Sequence, residues 1–322
     1  MNSQSQSVLL HRLAWFIAAL TVLLPVTTGA VVTTLKAGMV FSDWPSSDGH
    51  NMLAYPWWNS ARDQFVEHGH RLAGMVIGLL SICLVIAAFV LDRRQSVRAI
   101  AGLIFLAVFA QGMLGGARVL LDQQTLALIH GDFAALVFSL MATMVLMTSP
   151  GWDSRNRLRS LEVSQRASNG AVFLVIVLFA QYVMGGFLRH LREREEFAWA
   201  WMVHPWFALF VLFSMVVFAW AIRGSQSAYL NRCAAALFFL TVAQSMIGLM
   251  TWYVKYGIPS WGVVAQQDSL PQIVICSLHK VVGLLTLMTS VIALVCCRAL
   301  APVKAVPAAA VSVGNSVAGA VT

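Results

Sequence analysis

The chain contains few charged residues, and this scarcity indicates which class of protein it belongs to. Only 11% of its 322 residues are charged and 59% are hydrophobic, whereas soluble domains carry about 25% charged residues. The composition therefore argues against a soluble globular protein and favours a membrane protein.

Cysteine is also scarce. All five cysteines lie in or beside apolar segments: Cys83, Cys233, Cys276, Cys296 and Cys297. The chain has no Cys-x-x-Cys-His sequence and no zinc-type spacing of cysteines. None is expected in an outer loop, which excludes an extracytoplasmic disulfide.

The apolar residues form eight runs that are long enough to cross a bilayer. They cover approximately residues 13–35, 70–91, 99–121, 129–147, 171–188, 202–222, 233–254 and 273–297. The first run exceeds the roughly 7–15 residues of a signal-peptide core, so we expect a retained helix. These runs predict an all-α, polytopic membrane protein with eight transmembrane helices.

Basic residues are distributed unevenly between the predicted loops. With the N-terminus inside, 12 of the 21 basic residues but only 3 of the 13 acidic ones fall in cytoplasmic segments. The positive-inside rule then predicts a multi-pass protein of the cell (inner or plasma) membrane with both termini in the cytoplasm. This bias accounts for the positive net charge, so we expect no nucleic-acid partner.

The sequence repeats itself. A Gln-x-x-x-Gly pattern recurs in spans three, five and seven as Gln111–Gly115, Gln181–Gly185 and Gln244–Gly248. We predict two parallel four-helix-bundle repeats, residues 1–150 and 170–300, joined by a polar cytoplasmic linker, 151–169, and followed by a disordered cytoplasmic tail, 301–322. The glycines indicate either close helix packing or clearance for a bound ring.

Four histidines share one local pattern in spans two, four, six and eight. Each is followed four residues later by a small residue, in His70–Gly74, His130–Ala134, His204–Ala208 and His279–Gly283. Positions i and i+4 lie on one helical face, and imidazole is a usual axial ligand of haem iron. A single such histidine is often only an interfacial side chain, but four in equivalent places predict two pairs of metal ligands, hence two non-covalent porphyrin sites near the outer surface.

The residues resemble the haem A synthase family of bacteria and mitochondria over about residues 12–298. The most specific part is Glu67-His-Gly-His70-Arg71, which is similar to the family's Glu-x-x-His-Arg signature. The stretches from Gln111 to Val119 and from Gly185 to His190 are similar to further family patterns. In two places the chain differs: Thr33 stands where the family has an arginine, and Phe41 and Ser47 stand where many bacterial members have a cysteine pair.

The resemblance implies an enzyme that oxidises the C8 methyl of haem O to the formyl of haem A for terminal oxidase assembly. It places the substrate haem O at His70 and His130 and a haem b at His204 and His279, with Arg189 as a further cofactor-binding residue. Because Glu67 lies one helical turn from His70, a catalytic set of Glu67, His70 and His130 follows, with the carboxylate as a proton acceptor. An interfacial ion pair between Glu67 and Arg71 is the other interpretation.

The implied partners are haem O and haem A, membrane lipid, a haem O synthase and terminal oxidase subunits, and a homo-oligomer is left open. Two other functions also fit four ligands: a diheme electron-transfer or quinol-oxidising membrane protein without haem modification, and a porphyrin carrier or sensor.

Overall fold

The computed structural model describes residues 3–150, 152, 164–191, 195, 198–225 and 227–300. Most of the predicted linker and the whole of the predicted tail lie outside these residues. Eight of the described helices are long and apolar enough to span a membrane, which confirms the all-α, polytopic class. The described residues form no strand; two isolated bridges, Ser47 with His50 and Ile258 with Val263, lie in the loops.

The spans are numbered α1 to α8 in chain order. Helix α1 runs through Ser3–Thr21, a π-helical turn at Val22–Val26, and Thr27–Thr34. The others are α2 Arg62–Leu91, α3 Gln95–Leu120, α4 Gln124–Thr148, α5 Gln165–His190, α6 Ala200–Ala221, α7 Ala228–Tyr256 and α8 Leu270–Leu300. Short 3-10 turns at Trp57–Asn59 and Pro259–Trp261 lie in the loops before α2 and α8.

Pro25 explains the π-helical turn in α1. Proline has no N–H to donate within a helix, and its ring clashes with the preceding turn, so the helix widens locally. The hydroxyl of Thr27 donates to the carbonyl of Val22 at 2.7 Å, and that of Thr28 donates to the carbonyl of Leu24 at 2.7 Å. The helix therefore continues past the proline to Gly29, which lies at one of the candidate sites.

Each half of the chain forms a closed ring of helix contacts. In the first half, α1 packs on α2, α2 on α3, α3 on α4, and α4 on α1; in the second half, α5 to α8 repeat this order. The two rings meet through α4 against α5, and through α8 against α4 and the second part of α1. Two four-helix units would give this pattern; their domain boundaries and their parallel relation stay predictions.

The helices at the contact between the two rings are the most buried. The most buried spans are α4, α5 and α8, while α7 is the least buried. Large apolar side chains such as Phe213, Phe239 and Leu249 are exposed on the outside, where lipid rather than water would cover them. The centre of the molecule is therefore the junction of α1, α4, α5 and α8.

Several helices start earlier than the apolar runs indicated. Helix α2 begins at Arg62 and α8 at Leu270, whereas their runs begin at residues 70 and 273. Polar residues at a membrane edge can complete helical hydrogen bonds outside the hydrocarbon region, so hydropathy underestimates helix length there. As a consequence, His70 lies about two turns inside its helix rather than at its first turn.

The helix order and the charge bias together predict which loops are outside. A cysteine replacing exposed Asn51 or Gln267 should react with an impermeant thiol reagent in intact cells, while one replacing exposed Ser96 should not. The parent chain with its five native cysteines gives the background labelling. Labelling at Ser96 without labelling at the other two positions would reverse the orientation.

Candidate functional site

The four patterned histidines meet as two pairs. His70 on α2 faces His130 on α4 with ring centres 6.3 Å apart and planes at 86°. His204 on α6 faces His279 on α8 with ring centres 6.2 Å apart and planes at 88°. Each pair joins the second and fourth helices of one ring of contacts. The two geometries agree within 0.1 Å and 2°, so both halves form the same arrangement.

This spacing fits a metal held between opposed imidazoles. Metal–nitrogen bonds to histidine are about 2 Å long, and a ring centre lies about 1 Å behind its nitrogen, so two rings on one metal have centres about 6 Å apart. Within the described residues, no group of three or more His, Cys, Asp or Glu side chains could hold a metal. A porphyrin, which supplies the remaining nitrogens itself and needs only two axial ligands, fits this donor set.

A glycine on the preceding helix lies against each imidazole. A Cβ atom built on these glycines would lie 2.8 to 3.1 Å from the histidine Cε1 atom, in the pairs Gly29–His70, Gly115–His130, Gly185–His204 and Gly248–His279. Real Cβ atoms rarely approach that closely. The glycine of the Gln-x-x-x-Gly pattern therefore leaves space for a ring. That ring is the imidazole of the histidine on the next helix.

The small residues four positions after the histidines do not all leave a gap. A Cβ built on Gly74 meets nothing within 4 Å, whereas one built on Gly283 would lie 2.9 Å from Nε2 of Gln244. The space beside His279 is thus filled by the amide of Gln244. The sequence pattern located the histidines, but its physical explanation holds for Gly74 and not for Gly283.

The glutamine of the repeat binds the histidine of the next helix. Gln111 Nε2 donates to the backbone carbonyl of His130 at 2.9 Å, and Gln181 Nε2 donates to that of His204 at 3.0 Å. Gln244 Nε2 lies 3.4 Å from His279 Nε2. Each glutamine–glycine pair therefore fixes one helix against the next at the level of a patterned histidine.

Hydrogen bonds also orient the rings of the first pair. His130 Nδ1 lies 3.2 Å from the carbonyl oxygen of Gln111, which can only accept a hydrogen bond. His70 Nδ1 lies 3.1 Å from the hydroxyl of Thr28, whose own hydrogen is donated to the carbonyl of Leu24. Both Nδ1 atoms therefore carry the proton and both Nε2 atoms keep their lone pair, the usual arrangement at histidine ligands; that of His130 lies 3.4 Å from Gln111 Nε2.

Glu67 is buried in a clasp between α2 and the loop before it, residues 36–61. Its side chain is 1% exposed; Oε1 accepts from Arg71 at 2.8 Å, and Oε2 accepts from the backbone N–H of Val40 at 2.7 Å. Arg71 also donates to the carbonyls of Asp43 and Ser46 at 2.8 and 2.7 Å. The predicted Glu67–Arg71 pair exists, but it is not solvated, so the weakness of surface pairs does not apply to it.

Further contacts hold the same loop against α3 and fix its own backbone. Trp44 packs against Gly116, where a Cβ atom would overlap its ring. The carboxylate of Asp43 accepts from the backbone N–H of Asp48 and Gly49, both at 2.9 Å. Burial tends to raise the pKa of Asp43, but these bonds and one from Ser46 outweigh it and hold the pKa below its ordinary value. The loop is therefore ordered by its own polar contacts.

The two positions that differ from the cysteine pair of many family members lie on either side of His68. Ser47, which is fully buried, is 3.0 Å from His68 Nδ1. Phe41 packs edge-on against Tyr55 with ring centres 5.2 Å apart. Non-covalent contacts therefore stand where a disulfide would close the loop.

Arg189 lies beside the second pair and at the junction of the two rings. A Cβ built on Gly185 would lie 3.1 Å from His204 Cε1 and 3.6 Å from an Arg189 guanidinium nitrogen. The guanidinium is 3.8 Å from the carboxylate of Asp132 on α4. Its Nε and one terminal nitrogen have no hydrogen-bond partner in the described part of the chain. Arg189 is thus placed to bind an anion near His204.

Comparison with known proteins gives the family. A family model described as "Cytochrome oxidase assembly protein", COX15-CtaA, matches residues 1–141 and 58–202. The chain belongs to this family. Among its relatives, the heme A synthase of Exiguobacterium sp. (strain ATCC BAA-1283 / AT1b) is 24% identical over 266 residues, covering 76% of this chain and 84% of the relative.

Two more relatives of this COX15-CtaA member carry the same description. The heme A synthase of Alkalihalophilus pseudofirmus is 22% identical over 250 residues, covering 77% of this chain and 79% of the relative. That of Symbiobacterium thermophilum is 32% identical over 183 residues, covering 52% and 56%. The family expected from the Glu67–Arg71 and histidine motifs is therefore confirmed.

Sequence reasoning missed three charged residues near the sites of this family member. Arg118 is 8% exposed, and its guanidinium would lie 3.0 Å from a Cβ built on Gly38. Asp132 faces Arg189, and Lys280 reaches from α8 to α1. All three lie inside predicted apolar spans, and an ionisable residue in such a span is a functional candidate by default. That signal was available in the sequence.

The glycine clearance can be tested on a single helix. Replacing Gly115 by Val should displace the His130 ring and reduce porphyrin bound at the first pair, because the new side chain meets Cε1. Replacing Gly112, which has nothing within 4 Å on the same helix, by Val is the matched control. Bound porphyrin per protein is measured for both variants; equal retention would show that the ring does not need the glycine.

Proposed function

We propose that this chain is a haem A synthase, an oxidoreductase that converts the C8 methyl of haem O to the formyl of haem A for terminal oxidase assembly. Membership of the COX15-CtaA family and the description of its relatives support the activity. The observation that carries the proposal is the presence of two opposed histidine pairs with nearly identical geometry. A reaction that both transforms one haem and moves electrons through another needs two such sites.

The first pair, His70 and His130, is assigned to the substrate haem O, and the second, His204 and His279, to a resident haem b. The assignment of the first pair is supported by the outer loop, residues 36–61, which is held against α2 by Glu67 and Arg71 and against α3 by Trp44. A loop of this kind excludes water from a reacting group. A bound haem b would supply one-electron redox chemistry.

The polypeptide contributes binding, orientation and charge. Thr28 and the carbonyl of Gln111 direct the Nε2 atoms of the first pair towards a metal. Arg189 is assigned to a carboxylate of the haem at the second pair, because its guanidinium lies beside His204 with unpartnered nitrogens. Glu67 is assigned as the group that accepts a proton or stabilises positive charge near the reacting methyl.

The location follows from the order of the spans. With both termini in the cytoplasm of a cell-membrane protein, the starts of α2, α4, α6 and α8 lie outside, so both haem sites lie near the outer face. Residues 1–150 would form the substrate-haem unit and residues 170–300 the haem b unit. A haem O synthase and terminal oxidase subunits are the expected protein partners, because they supply the substrate and receive the product.

The test separates catalysis by Glu67 from its role in holding the loop. Membranes containing the chain are supplied with haem O, and extracted haems are analysed for haem A and hydroxylated intermediates. Glu67→Gln should still bind haem O but lose conversion by about 10²–10⁴-fold, as for removal of an acid–base group. Arg71→Met is the matched control, since it breaks the same clasp but leaves the carboxylate.

Two results would contradict these assignments. Equal losses in both variants, or full conversion by Glu67→Gln, would show that the carboxylate only holds the loop. Haem B alone in the parent, even with haem O supplied, would favour a diheme electron-transfer protein without haem modification.

The second pair has its own spectroscopic test. Replacing His204 or His279 by Ala should abolish the low-spin b-type spectrum, because six-coordinate iron needs both imidazoles. Replacement of His50, which is exposed in the outer loop, is the control. Retention of the spectrum in both single variants would remove the haem b assignment.

A further inference from the structure

Lys280 follows a ligand of the second pair in sequence but reaches the wall of the first pair. Its Nζ atom lies 3.4 Å from the carbonyl oxygen of Gly29 and 3.3 Å from the hydroxyl of Thr33, both on α1. Gly29 is the residue against which the His70 ring packs. One turn of α1 therefore contacts both the imidazole of the first site and an ammonium group supplied by the other half of the chain.

The electrostatic contacts of this lysine also belong to the first site. The charge of Lys280 acts on His70 and His130. By contrast, the charge of Arg189 acts on His204 and His279. Lys280 and Arg189 thus act on different histidine pairs, and Lys280, which acts on the first pair together with Arg118, comes from the helix that carries His279.

Positive charge exceeds negative charge in this region. The charges of Arg189, Arg118 and Asp132 act on Lys280. Asp132 lies beside Arg189 at 3.8 Å, and Arg71 accounts for the charge of Glu67. Of the described residues, none supplies a carboxylate that pairs with Lys280, and Nε of buried Arg118 has no partner among them.

This excess of positive charge favours the binding of an anion. Charged groups inside a membrane protein are costly unless an opposite charge compensates them. The contacts of Lys280 in the chain are a carbonyl and a hydroxyl, which carry no net charge. An anion with carboxylate oxygens would form charge-assisted hydrogen bonds with the ammonium, and an iron porphyrin such as haem O carries two carboxylates.

We propose that Lys280 binds a carboxylate of the porphyrin held by His70 and His130, so that the second half of the chain completes the first site. This inference rests on the proposed function, because it requires a porphyrin at the first pair. Lys280 binds and positions the porphyrin, and Arg118 of α3 supplies a second cation near Gly38.

The test compares two ligands that differ only in their carboxylates. The full chain, purified without haem, is titrated with haem b and with haem b dimethyl ester, and first-site binding is the part that His70→Ala abolishes. Lys280→Met should weaken first-site binding of haem b by about 10–100-fold, the range of a hydrogen bond to a charged group. It should leave the affinity for the ester unchanged.

Two further variants keep the test decisive if Lys280→Met folds poorly. Lys280→Arg, and the double variant Lys280→Met with Thr33→Arg, each place a cation at the same contact and should restore most of the affinity for haem b. Lys255→Met is the matched control, because the Lys255 ammonium lies over its neighbour Tyr256, 5.8 Å from the ring centre. It should change neither affinity.

An equal loss of first-site affinity for haem b and for its ester would show that Lys280 only packs the helices, and would overturn the proposal. Undiminished binding of haem b by Lys280→Met would overturn it as well. The proposed function fails separately: if the parent binds haem b with this carboxylate dependence but converts no haem O, only the assigned reaction is wrong. Absence of binding that depends on His70 would overturn both.

Discussion

The contact between an imidazole and a glycine of the preceding helix is the constraint on which both sites depend. Packed helices lie about 8–10 Å apart, so a ring that points between them needs a position without a side chain. Four glycines provide this position, at Gly29, Gly115, Gly185 and Gly248. Once the ring is seated there, the glutamine one turn earlier can reach the histidine's helix, as Gln111 and Gln181 do. The spacing of the paired histidines is therefore determined by helix packing.

Much of this arrangement could be predicted from the sequence, because its determinants are local and repeated. Long apolar runs predicted eight spans, and recurrence of the histidine and glutamine–glycine patterns predicted the four histidines that meet as two pairs. Gly29 was missed because Pro25 stands where the other repeats have glutamine, and there Thr28 orients the histidine instead. The Glu67–Arg71 pair could be predicted from its spacing, but the contact of Glu67 with Val40 and those of Lys280 could not, since they join segments that are distant in sequence.

The outer loop illustrates how a chain without the cysteine pair can order a long segment. Glu67 and Arg71 are both nearly buried, and breaking such a pair would leave an uncompensated charge. Their remaining hydrogen-bonding capacity is used by backbone groups at Val40, Asp43 and Ser46. Because the strongest of these bonds are charge-assisted, the loop is held to α2 through its residues Val40, Asp43 and Ser46. The carboxylate that resembles a catalytic group is therefore also a structural one.

The two halves repeat a geometry but are not interchangeable. Helix α8 completes the contacts of the second ring and also packs on α1 and α4 of the first, while α4 packs on α5 and α8 of the second. The helix that carries His279 thus forms part of the wall around His70, through Lys280 and Gly29. A displacement of α8 that altered the second site would move a cation of the first. The helix contacts within the first half are therefore not sufficient to complete the first site, because α8 of the second half also contributes to its wall.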